Sequence, residues 1–219
     1  MASKVKIDNA TLKRLKRKEE RDARIVEARV PRQYFLIFCE GKRTEPNYFN
    51  GLKEILIKGI VTVEVIGAGA NTTSLLEQAQ NYCREKCHEF DQKWVVFDKD
   101  DFSDDKFNEA IFKANADGIE VAYSNEAFEL WYLLHFEYCN TGIHRHQYIG
   151  KLSEHLGEKY HKNDPAMYKK LTTIGSEEKA IKWAKKLYDL YDHASPAAEN
   201  PSTCVFKLVI ELNNYLDTR

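Results

Sequence analysis

The sequence predicts an α/β fold, a mainly parallel sheet with helices on both faces, preceded by a charged helical arm and followed by a helical C-terminal region. Three observations carry that prediction. Runs of strand length alternate with helix-length segments between Gln33 and Asn125, as parallel strands with helical crossovers require. Two runs, Tyr34–Cys39 and Trp94–Phe97, are apolar throughout, like strands covered on both faces. Each then ends abruptly in carboxylates, at Glu40 and at Asp98-Lys99-Asp100-Asp101.

Taken in order, residues 1–32 read as an arm with eleven basic and five acidic side chains, an excess of six that leaves the remainder at −7. Either a solvated helix with i,i+4 charge pairs or a phosphate-tracking arm accounts for it. A strand at 33–39 leads through Gly41 to a helix around 45–57, with Pro46 in its first turn, where proline is tolerated. Ile60–Ile66 is β-branched and reads as a second strand, Gly67–Asn71 as a turn, and 72–89 as a helix. A third strand at 93–98 and a helix at 104–115 follow. Ile119–Tyr123, after Asp117-Gly118, makes a fourth strand. Beyond Asn125 the strand signal stops. Glu126–Phe136 reads as an aromatic-rich helix, with further helices at 176–191 and 202–216. Asn200 is placed to cap the last of these, and Pro201 to open it. The predicted regions are therefore an arm (1–32), an α/β core (33–125) and a helical region packed on it (126–219).

Composition narrows the class. At 219 residues and 43 % hydrophobic, the chain holds one substantial domain. A net charge of −1 argues against a bulk electrostatic grip on nucleic acid and leaves that task to local patches. Five cysteines with no C-x-x-C pair suit a reducing cytoplasm. No apolar stretch reaches membrane-span length, so no membrane partner is expected.

Several motifs read as structure. Gly67-Ala-Gly-Ala-Asn lacks the dinucleotide spacing, because Thr72 stands where a third glycine belongs. His144-Arg145-His146 reads as polar surface, Cys83 and Cys87 as packing on one helix face, and His135 as a buried, hydrogen-bonded histidine. Gly41-Lys42-Arg43-Thr44 lacks the upstream glycines of a P-loop, so any ATP dependence would belong to a partner ATPase.

The acidic strand ends point to chemistry. Ligands bind at the carboxyl ends of strands in open α/β sheets. Glu40 on one strand and Asp98-x-Asp100 on another suit Mg²⁺ (or Mn²⁺), which takes one or two carboxylates plus waters and phosphates. Separately, each has a bland reading, a strand-exit turn or a helix-capping turn. Together they would crowd one sheet edge and repel without a cation. Glu129, Asp101 and Asn125 are secondary candidates on the same edge.

Glu-Gly after one apolar strand and Asp-x-Asp after a later one is similar to the Toprim fold of topoisomerases, primases and OLD-type nucleases. The string Phe38-Cys-Glu-Gly-Lys-Arg-Thr-Glu-Pro-Asn-Tyr-Phe49 resembles the opening signature of the RloB-like proteins, a bacterial group encoded near restriction and phage-defence loci. Ser124–Phe136 and Asn200-Pro201-Ser202-Thr203 fit the same family. Glu126 and Phe206 depart from it, the latter where the family often shows His. The resemblance implies a Mg²⁺-dependent nuclease acting on DNA or RNA in antiviral defence. Asp98 and Asp100 would hold the metal, Glu40 would be a ligand or general base, and Lys42 and Arg43 would contact phosphate. The alternative is a non-catalytic nucleotide- or nucleic-acid-binding subunit of a defence ATPase.

Overall fold

The computed structural model describes Lys13, Lys16 and residues 32–69, 72–100 and 102–217, with the backbone alone for Thr72 and Thr73. Contacts divide the chain into two units, Met1–Arg32 and Gln33–Arg219. In the first, Lys13 and Lys16 are helical and exposed. Arg32 at the end of the expected arm is exposed, and the rest of the arm lies outside the described residues, as do Asp101 and the turn residues Ala70 and Asn71.

The second unit is built on a five-stranded sheet in the order β2-β1-β3-β4-β5. β1 (Gln33–Cys39) runs parallel to β2 (Val61–Gly67) on one side and to β3 (Gln92–Asp98) on the other. β4 (Glu120–Asn125) continues the parallel set, and β5 (Ser202–Thr203) closes the edge antiparallel. Burial follows sequence. Phe35–Cys39 and Trp94–Phe97 are buried throughout, whereas β2 buries only Val61 and Val63 and carries Thr62 and Glu64 between them. The crossovers are α1 (Thr44–Lys53), α2 (Thr72–Glu85) and α3 (Asp104–Ala116). Asp104 and Asp105 in the first turn of α3 favour that end of the helix dipole. The architecture is Rossmann-like α/β.

The remaining helices are α4 (Glu129–Leu133), α5 (Arg145–Leu156), α6 (Met167–Ile174), α7 (Glu177–Tyr188) and α8 (Val205–Asn213), with a 3₁₀ turn at Pro196–Ala198. They pack through Tyr48 of α1, whose ring meets Phe128, Trp131 and Tyr132 around α4 and Tyr168 of α6. His135 is buried there, as expected. Its Nδ1 pairs with the Trp131 carbonyl at 2.9 Å, and burial holds its pKa down to about 4.

Three expectations are corrected. The helix expected over Glu126–Phe136 contracts to α4. Ser202 and Thr203 are a strand, and the last helix starts only at Val205. The outer edge of β4 needs backbone partners, and Cys204 N–H donates to the Tyr123 carbonyl at 3.0 Å, as does the Thr203 hydroxyl at 3.1 Å. A helix beginning at 202 would abandon them. Finally, α2 ends at Glu85, so Cys87 is an exposed residue beyond the helix.

Candidate active site

β1 and β3 are neighbours with Cys39 opposite Val96, so their carboxyl ends open side by side. Glu40 N–H donates to the Val96 carbonyl at 2.8 Å, and Asp98 N–H donates to Glu40 Oε2 at 3.4 Å. The two acidic strand ends, nearly sixty residues apart in sequence, therefore adjoin. Lys42 and Arg43 follow, both exposed, just before α1. The Lys42 side chain lies across Gly69, which has a φ of 60° and no room for a Cβ beneath that chain.

Asp98 turns its carboxylate inward. Oδ1 is buried with no hydrogen-bond partner among the described residues. Burial pushes the Asp98 pKa well up, and the Glu45 and Glu129 carboxylates push it further, while the Phe128 backbone N–H and Lys162 oppose them. Glu45 is only 5 % exposed. Burial raises its pKa too, against its own backbone N–H, Lys162 and the N–H of Gly41. Its carboxylate folds back over Gly41 so closely that any Cβ there would collide with it. That contact is the physical reason for glycine after Glu40.

Glu129 opens α4 and is 4 % exposed. Its Oε1 accepts the Tyr160 hydroxyl at 3.0 Å, and Lys162 Nζ stands 3.9 Å away. Lys162 belongs to the connection between α5 and α6, which is tied to α1. Thr44 Oγ1 donates to the Lys162 carbonyl and Asn47 Nδ2 to the Asn163 carbonyl, each at 3.1 Å. Asp100, with a φ of 39°, forms an ion pair with Arg145 at the start of α5. Asp98, Asp100, Glu126, Glu129, Arg145 and Lys162 all line one cavity of about 250 Å³.

The structure thus brings Asp98 and Asp100 to one cavity with Glu129, and sets Glu40 beside Asp98. Asn125 is not drawn in, because its amide donates to the Pro196 and Ala197 carbonyls and clamps the 3₁₀ turn. Sequence reasoning did not single out Glu45 or Lys162, and it read Arg145, within His144-Arg145-His146, as polar surface, whereas Arg145 and His146 line the cavity. An acidic residue in the first turn of a helix is ordinary, and Lys162 falls where helix boundaries could not be set. Its partners lie on distant segments.

A family model for RloB-like proteins matches residues 35–212. The chain belongs to the RloB-like family. No curated protein and no solved structure matches it. The RloB-like match covers the whole sheet except Gln33 and Tyr34 of β1, and every residue lining the cavity. Of the two departures from the family pattern, Glu126 lines the cavity itself. Phe206 on α8 lies at the opposite end of the sheet, facing Trp94 and Glu120 at the starts of β3 and β4.

The donor chemistry of this RloB-like site suits a hard divalent cation. Its acidic lining, Asp98, Asp100, Glu126 and Glu129, offers oxygen donors, with His146 the one nitrogen donor beside them, and Asp98 presents a buried oxygen lacking a partner among the described residues. Among the described residues no three His, Cys, Asp or Glu side chains form a closed metal-ligand group. Mg²⁺ needs no such cage, since one or two carboxylates completed by waters and phosphate oxygens hold it.

Proposed function

We propose that this RloB-like chain is a Toprim-type, metal-dependent nuclease that hydrolyses phosphodiester bonds in DNA or RNA as part of bacterial defence against phage. One observation carries the reading, the Asp98 carboxylate at the end of β3, with one buried oxygen lacking a partner among the described residues and the Glu45 and Glu129 carboxylates within electrostatic reach. Like charges buried together persist where a cation or substrate completes them.

Asp98, with Asp100 and Glu129 around the same cavity, would hold Mg²⁺ or Mn²⁺. The bound metal would stabilise charge on the phosphodiester and lower the pKa of a water. Glu40, hydrogen-bonded to the Asp98 backbone, is placed to take a proton from the attacking water. Glu45 keeps the electrostatic field at Asp98 negative. The Tyr160 hydroxyl fixes the orientation of Glu129. Lys42 and Arg43 extend outward to meet flanking phosphates.

The test is incubation of the purified protein with mixed DNA and RNA and Mg²⁺ or Mn²⁺, with and without a candidate ATPase partner, alongside calorimetric titration of Mn²⁺. The wild type should cut, and Asp98→Asn should lose both cutting and metal binding. Metal-dependent cleavage surviving in both Asp98→Asn and Glu40→Gln would move the active site elsewhere. A wild type that binds nucleic acid but no divalent cation would favour the non-catalytic partner subunit.

A further inference from the structure

The cavity mixes opposite charges: Asp98, Asp100, Glu126 and Glu129 share its lining with Arg145, His146 and Lys162. α5 begins there, with the positive end of its dipole. Carboxylates alone explain a cation. They do not explain why two basic side chains, from residues seventeen apart and from different segments, converge on the same small space.

Both basic groups are held by acids in the present state. Arg145 pairs with Asp100, and Lys162 stands beside Glu129 while its own side chain is 65 % exposed. Neither arrangement resembles a buried structural ion pair, because Asp100 is 46 % exposed and the Lys162–Glu129 separation of 3.9 Å is loose. Exposed pairs of this kind contribute little to stability. Lys162 is positioned by its backbone, through the Thr44 hydroxyl, so its side chain can move without disturbing the fold. Ile149 adds an exposed apolar surface at the cavity wall, suited to a sugar or base face. At about 250 Å³ the space falls below the ~300–1,000 Å³ of common small-ligand sites, which fits one phosphate with its sugar.

Resting on the nuclease reading for its chemistry, we propose that Arg145 and Lys162 are the phosphate-binding residues of this site. They exchange Asp100 and Glu129 for the non-bridging oxygens of a single nucleotide phosphate as a strand enters. Guanidinium groups match phosphate in a two-bonded fork, and lysine supplies a mobile point charge. The acids released by that exchange share the cavity with Asp98 and would be freed to hold a cation there, so substrate entry and cation binding support each other.

The experiment measures binding of a labelled single-stranded oligonucleotide across a salt series in EDTA, and of Mn²⁺ without nucleic acid. The proteins are wild type, Arg145→Gln, Lys162→Gln and Lys162→Arg. The first two variants should each bind the oligonucleotide about tenfold more weakly and lower the slope of log affinity against log salt by about 0.7, the value for one phosphate contact on a single strand. Their Mn²⁺ affinity should hold or rise, because a competing positive charge has gone. Lys162→Arg should restore oligonucleotide binding. Unchanged oligonucleotide affinity and slope in both glutamine variants, with melting temperatures equal to wild type, would overturn the assignment and leave the pair as counter-ions. A wild type that binds oligonucleotide through these residues yet neither binds Mn²⁺ nor cuts would sink the nuclease reading while keeping the phosphate site.

Discussion

Two half-buried carboxylates in this chain have opposite surroundings. Glu177, the first residue of α7, accepts the Tyr48 hydroxyl at 3.3 Å on one oxygen and the Asn213 amide at 2.8 Å on the other. Burial raises its pKa, and those hydrogen bonds pull it back. Asp98 is also raised by burial, and the carboxylates of Glu45 and Glu129 raise it further, against the Phe128 backbone N–H and Lys162. Glu177 joins α1, α7 and α8 and serves the architecture. Asp98 lines a cavity with one oxygen lacking a partner among the described residues. The difference separates a carboxylate with both oxygens bonded within the fold from one without.

The comparison breaks most readily through substitution. Asp98→Asn should cut the cleavage rate by a hundredfold or more, about 3 kcal/mol of barrier, since it removes the charge on which the cation depends. Glu177→Leu should leave the chemistry intact and cost about 2 kcal/mol in urea unfolding, because Tyr48 and Asn213 lose a buried acceptor. If Glu177→Leu abolished cleavage at full stability, the division of roles would be wrong.

Gly41→Ala sharpens the contrast within the site. A methyl group there displaces the Glu45 carboxylate, and we expect about a tenfold loss of cleavage with a change of less than 1 kcal/mol in unfolding free energy. Full activity in that variant would show that Glu45 has no part in the field at Asp98.

The smallest effect is on pH. The folded pKa of Asp98 lies above its unfolded value of about 3.9. Its protonated form is the one the fold favours. Stability from this group is therefore complete below about pH 4 and is lost as pH rises towards the raised folded value. Glu137 and Asp164, held below the usual range by Lys151 and Lys170, act in the opposite sense and lose their contribution as pH falls. In EDTA, Asp98→Asn should gain steadily on wild type as pH rises from about 4 to about 8, read from parallel urea melts. Parallel pH profiles would mean that Asp98 ionises freely in the folded protein.

Legibility from sequence followed the range of the interactions. β1 and β3 could be read because burial on both faces requires unbroken apolar runs, and Glu40 and Asp98 mark where each run stops. The carboxyl-end rule then placed both acids on one edge. α4 and β5 were misread because their shape is set by distant partners. Ser202 and Thr203 follow a proline and look like a helix start, yet the free edge of β4 takes them as a strand. Glu45, Arg145 and Lys162 carry no local mark at all. They matter only because Thr44 reaches the 162 carbonyl and Tyr160 reaches Glu129, contacts that no periodicity encodes.

That last tether has a consequence for how the site can be inherited. The Thr44–Lys162 and Tyr132–Thr44 bonds sew the start of α1 to segments some ninety and more residues downstream. A chimera that borrowed only residues 33–125 would receive Glu40, Glu45 and Asp98 without Glu129, without Lys162 and without β5 to close its sheet. Such a graft would carry the negative charge of the site and none of its counterweights. The two halves of the chain have to be exchanged together or not at all.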